Sequence, residues 1–120
     1  MKLKAIKVPL YPGKLVIVIT GSLKKAKKNI PEFKDDYIYS SSYFAMYKKD
    51  QGFYILLNFK HHKKIYHGTI AHESVHIAHF IMTYSGLVKS LNNDEAEAYL
   101  VGWITDQVYK FMKETNNIAQ

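Results

Sequence analysis

The sequence predicts an α+β fold, a small and mostly antiparallel sheet of three or four strands packed against two long helices. Three observations predict it. Up to about residue 65, short apolar or aromatic runs alternate with turn residues. From Thr69 onward proline disappears and the apolar residues recur at helical spacing. The chain has 120 residues, 48% of them hydrophobic and 22% charged, which suits one compact domain over 1–120 with a single core.

Each element has its own signal. Val16, Ile17, Val18 and Ile19 form a β-branched run that favours a strand. Between Ser22 and Asp36 the chain reads as a linker or short helix, with Lys24, Lys25, Lys27 and Lys28 on a solvated surface. Tyr37 to Tyr47 mixes aromatic and small residues as an extended segment does, and Phe53 to Phe59 gives another apolar strand after the turn signal Asp50-Gln51-Gly52. Two helices follow, Thr69 to Tyr84 and Asp94 to Lys113. Ser85-Gly86 supplies a stop for the first, and Asn92-Asn93-Asp94 supplies start signals for the second.

Composition narrows the chemistry. There is no cysteine, so a disulfide framework and a thiolate metal site are both excluded, and any metal must be held by His, Asp or Glu. The apolar stretch Leu15 to Ile19 is too short for a secretory signal, and no run of about 18 apolar residues could span a bilayer. A soluble, cytoplasmic protein is expected, with no membrane partner. The formal charge of +7 and ten tyrosines would suit an anionic partner such as nucleic acid, although no nucleic-acid-binding motif is present.

The chemistry centres on His72-Glu73-Ser74-Val75-His76, an HExxH pattern. Residues four apart on a helix lie one above the other, so both imidazoles can reach one ion. At 100° per residue His72, His76, His79 and Thr83 share one narrow stripe, while apolar residues fill most of the remaining circumference. A helix of that kind reads as buried, its stripe facing a cleft. Solvent faces carry Lys, Glu and Gln, and a row of His and Thr is better suited to hold a metal. Glu73 has apolar neighbours around the helix, so desolvation should raise its pKa and suit it to general base catalysis on a water activated by zinc. His79 lies two turns beyond His72, too far along the axis to share the ion, and reads as a cleft or core residue. His61, His62 and His67 are expected to face solvent.

A catalytic zinc site needs a third protein ligand, and the candidates are Asp94, Glu95 and Glu97 at the start of the second helix. The helical wheel puts Glu97 in the apolar row of Val101, Ile104 and Val108, and Glu95 beside Asp106 and Lys110. Geometry alone favours Glu97. The plainer readings are a capping box between Asp94 and Glu97, and for Glu95 an acid favoured by the helix dipole.

Over Thr69 to about Lys113 the chain resembles the gluzincins, zinc peptidases with HExxH on one helix and a glutamate ligand on the next. Asn93-Asp94-Glu95-Ala96-Glu97-Ala98-Tyr99 is similar to their second-helix signature, in which the ligand glutamate has a small residue three positions later. It is similar also to the ImmA/IrrE-type peptidases of mobile elements and to small phage or prophage proteins. The resemblance implies a zinc metallopeptidase with metal ligands His72, His76 and Glu95, Glu73 as catalytic acid/base, Zn2+ as cofactor and a protein or peptide as substrate. If phage-encoded, it would act in the host cytoplasm. Tyr99 departs from the Asn or Asp that such families often carry one turn after the ligand. The rival expectation is a non-catalytic zinc scaffold that binds a protein or nucleic-acid partner through its basic, tyrosine-rich half, or a virion component.

Overall fold

The computed structural model describes residues 2–11, 13–20, 23–29, 37–40, 44–49, 52–60, 64–87, 90–92 and 94–118. The chain divides into two compact units, Met1–Lys63 and Lys64–Gln120, close to the point where the sequence changes from strand-like to helical spacing. The class is α+β.

The first unit holds strands β1 (Lys2–Lys7) and β2 (Gly13–Thr20), helix α1 (Leu23–Asn29), and strands β3 (Tyr37–Ser40), β4 (Phe44–Lys49) and β5 (Gly52–Lys60). Among the described residues these form one five-stranded sheet in the order β1-β2-β5-β4-β3. Three of its four pairings are antiparallel, while β2 and β5 run parallel, Leu15 opposite Ile55 and Ile17 opposite Leu57. Every residue from Leu15 to Thr20 is buried, as is every residue from Ile55 to Phe59. A strand buried on both faces cannot alternate polar and apolar residues, which is why β2 reads as a continuous apolar run. Helix α1 lies against β2 and β5 and buries Ala26.

The structure adds β1 to the strands expected. Its residues are exposed or half-buried, and lysine interrupts the apolar pattern. Lysine on an edge strand discourages pairing with another chain. The segment Tyr37 to Tyr47, read as one extended stretch, is a pair of antiparallel strands with a register shift between Tyr37 and Tyr39. Inside the sheet the buried Asn58 side-chain oxygen accepts a hydrogen bond from the Thr20 N–H, 3.2 Å, across the β2–β5 pair. Asp50, Gln51, His61 and His62 lie outside the described residues.

The second unit is a pair of packed helices, α2 (His67–Tyr84) and α3 (Asp94–Glu114). Ile70, Ile77, Ala78, Ile81 and Met82 of α2 are buried, as are Leu100, Ile104, Val108, Phe111 and Met112 of α3. Both helices end in the same way. After α2, Gly86 takes a left-handed φ of 80°, its N–H donates to the Thr83 carbonyl, and the Leu87 N–H donates to the Met82 carbonyl at 2.9 Å. After α3, Asn116 takes φ 60°, its N–H donates to Lys113, and the Asn117 N–H reaches the Met112 carbonyl at 2.7 Å. This is the Schellman arrangement, with glycine and asparagine at the position where a left-handed residue is needed.

The chain beyond α3 then returns to the start of the unit. The Ile65 N–H donates to the Asn117 carbonyl at 2.6 Å, Ile65 bridges Ile118, and Lys64 Nζ donates to the Asn116 carbonyl. No helix among the described residues is long and apolar enough to cross a membrane.

Candidate metal centre

Helix α2 places the HExxH residues. It begins at His67, two residues before the expected Thr69, and runs unbroken to Tyr84. His72 and His76, one turn apart, converge so that their Nε2 atoms are 3.2 Å apart, with ring centroids at 4.9 Å and planes crossing at 70°. Two imidazole nitrogens at zinc-bond length, about 2.05 Å, and a tetrahedral angle would lie about 3.3 Å apart. The pair therefore has the spacing a tetrahedral ion requires. Without an ion, the same distance allows one Nε2 to donate to the other as a hydrogen bond.

Glu73 lies next to this pair and is 5% exposed, whereas the His72 side chain is 67% exposed. Its Oε1 is 3.9 Å from His72 Nε2, and among the described residues its buried Oε2 meets no hydrogen-bond partner. Burial pushes the carboxyl above its ordinary value of 4.5, and the nearby His72 and His76 pull in the opposite direction. The rise expected from the apolar neighbours in the sequence is present. One turn of the helix thus combines two convergent, accessible nitrogens with a desolvated carboxyl that has a free oxygen. Ser74, buried beside it, turns its hydroxyl inward and donates to the Ile70 carbonyl at 2.7 Å, which disposes of its polar atom within the helix.

The remaining stripe differs from its sequence reading. His72, His76, His79 and Thr83 are all exposed, and so are Ala71 and Val75. Helix α2 is therefore not buried all round; its buried arc, centred on Ile70, Ile77 and Ile81, lies opposite the histidine stripe. Composition alone could not reveal this, because exposed Ala and Val look identical to buried ones in a helical pattern. His79 is accessible, with its ring 6.2 Å from that of Phe80. His67 is exposed as expected and also meets the edge of Tyr109, centroids 5.2 Å apart and planes at 89°.

That ring contact sets the register of the two helices. It brings the first turn of α2 against the C-terminal part of α3, so the helices run antiparallel. At 1.5 Å per residue, the level of His72 and His76 meets the middle of α3 near Gly102, and Glu97 and Glu95 lie roughly 7 and 10 Å further along. Glu97 is buried, in one row with Leu100 and Ile104, and Glu95 is exposed. Its burial makes Glu97 the inward-facing acid, as its place in the apolar row of the helical wheel predicts. Among the described residues no third His, Asp or Glu is gathered with the two histidines into a group able to hold a metal. The donor chemistry and the spacing of the histidine pair fit zinc, and the third ligand is not drawn in.

Compared with known proteins, the chain matches no family model, no curated protein sequence and no solved structure.

Proposed function

We propose that this protein is a zinc-dependent metallopeptidase that hydrolyses a peptide bond, with His72 and His76 as metal ligands and Glu73 as acid/base. One observation carries the reading: two imidazole nitrogens 3.2 Å apart, and beside them the buried Glu73 carboxyl, one oxygen of which meets no partner among the described residues. His72 and His76 bind through Nε2. Zinc, when bound, supplies Lewis acidity to a water and to the substrate carbonyl. Glu73 takes a proton from the attacking water at a carboxylate oxygen and returns it to the leaving amine, a task helped by a pKa raised towards the working pH. A substrate strand cannot add to a sheet edge at Phe53 to Phe59, since β5 pairs with β2 on one side and with β4 on the other.

For the third ligand we assign Glu95, on the family resemblance and on its accessibility, which it shares with both imidazoles. Glu97 is its competitor, being nearer in helix register, but it is buried whereas both imidazoles are exposed. Ligation by either requires the first turn of α3 to approach the histidine pair.

The experiment is zinc analysis of the purified protein followed by a peptide-hydrolysis screen of wild type beside Glu73→Gln. The expected result is one zinc per chain in both proteins and cleavage by the wild type alone. Stoichiometric zinc with no cleavage by either protein would remove the peptidase and leave a metal scaffold. Absence of zinc would remove both.

A further inference from the structure

The regular elements of the unit Met1–Lys63 carry charge of one sign. Three lysines lie in β1, one in β2, four in α1, two in β4 and one in β5, eleven in all, and none of the six elements contains an aspartate or a glutamate. Over the whole unit thirteen lysines stand against four acids, whereas Lys64–Gln120 has four lysines and six acids. The excess is therefore not a habit of the whole chain. It is confined to one compact unit.

Several of these lysines are placed where they cost stability. Lys7 lies directly opposite Lys14 in the β1–β2 pair, both are exposed, and like charges in directly opposed positions are destabilising. Lys24 and Lys28, four residues apart on α1 and both exposed, repeat the arrangement on a helix. The first turn of α1 holds lysine and no acid, against the preference of a helix N-terminus for negative charge. These like-charge placements do not stabilise the fold, and an anionic partner offsets all of them.

We infer that this unit binds the phosphate backbone of nucleic acid without reading its sequence. All seventeen basic residues of the chain are lysine. Lysine is a point charge suited to phosphate oxygens, and arginine, the residue that most often reads guanine with a two-pronged contact, is absent. An anionic lipid surface would share the charge requirement, but membrane-surface helices pair a basic face with an exposed apolar one. In α1 the small apolar Ala26 is buried in the unit itself, while Lys24, Lys25 and Lys28 are turned to solvent. The inference involves none of the α2 and α3 residues and stands independently of the zinc reading.

The test is fluorescence anisotropy of the full chain with a labelled mixed-sequence 30-base-pair DNA duplex, its single strand and the matching RNA, across a salt series, with anionic vesicles as a separate arm. If Lys7, Lys14, Lys24 and Lys28 each neutralise a phosphate, the log–log salt slope on duplex is about −3.6, and affinity falls about 150-fold from 50 to 200 mM salt. Lys7→Gln/Lys14→Gln and Lys24→Gln/Lys28→Gln should each flatten that slope by about 1.8. These exposed substitutions leave the circular dichroism spectrum unchanged. Absence of salt-dependent binding to any of the three nucleic acids at 50 mM salt, binding unaltered by both double variants, or binding to vesicles alone would each overturn the inference.

Discussion

Replacing Glu73 by Gln should stabilise the metal-free protein, and the gain should depend on pH in a defined direction. Glu73 is 5% exposed, and its Oε2 is buried without a hydrogen-bond partner among the described residues. Among the described residues the cationic candidate beside it is His72, whose Nε2 is 3.9 Å away on a side chain 67% exposed, so solvent screens what it can offer. Leaving a buried acceptor unsatisfied costs about 1–3 kcal/mol, and more when it is ionised; a glutamine amide keeps the neutral cost and removes the ionic excess. Burial raises the folded-state pKa above 4.5, so over the interval from 4.5 to that raised value the folded chain holds the proton more tightly than the unfolded chain. Stability from this group is therefore complete below 4.5 and is lost as pH rises through the folded pKa. Glutamine has no such titration. Urea unfolding of both proteins in EDTA should show the variant ahead by at least about 1 kcal/mol at pH 7.5, with the difference closing towards pH 4. Other carboxylates cancel in the difference. A variant that is equally or less stable at pH 7.5, or a difference that widens on acidification, would refute a desolvated and unpaired Glu73.

Other substitutions probe the metal centre and the frame that supports it. His72→Ala and His76→Ala should each lower zinc affinity by more than about 100-fold, since loss of a direct ligand exceeds the effect of outer-shell changes; competition with a chromophoric chelator measures this. Glu95→Gln should do the same while Glu97→Gln spares zinc; the reverse outcome would reassign the third ligand. Ile77→Ala, at a fully buried position on α2, should cost about 2–5 kcal/mol in urea unfolding. Gly86→Ala places a Cβ at φ 80° and should cost about 1–2 kcal/mol, although nothing lies within 4 Å to obstruct it.

Local signals in the sequence were reliable where one element settles its own structure. Gly86 after Ser85 marks the end of α2 because a left-handed residue is required there, and glycine is the residue that adopts it without penalty. The convergence of His72 and His76 follows from helix geometry alone, and the raised pKa of Glu73 follows from its apolar neighbours. Features that depend on two elements were not legible in the same way. The parallel pairing of β2 with β5 joins strands separated by α1, β3 and β4, and neither strand's pattern names its partner. Strand β1 is not legible in the sequence because its Lys2-Leu3-Lys4-Ala5 alternation breaks at Ile6 and an exposed edge strand need not keep an apolar face. The β3–β4 pair reads as one segment because Tyr37 to Tyr47 contains no glycine, proline, asparagine or aspartate, and serine is a weaker turn signal. The third ligand depends on how far α3 is shifted along α2. That register rests on contacts such as His67 with Tyr109, which no spacing within either helix encodes.

Whether His72 and His76 hold one zinc ion is read out by X-ray absorption at the zinc edge on the purified protein, beside His72→Ala and His76→Ala. Four light-atom ligands at about 2.0–2.1 Å are expected, with the multiple-scattering signature of two imidazoles that falls to one in each variant. A spectrum without imidazole scattering, or one that both substitutions leave unchanged, would contradict zinc ligation by the two histidines.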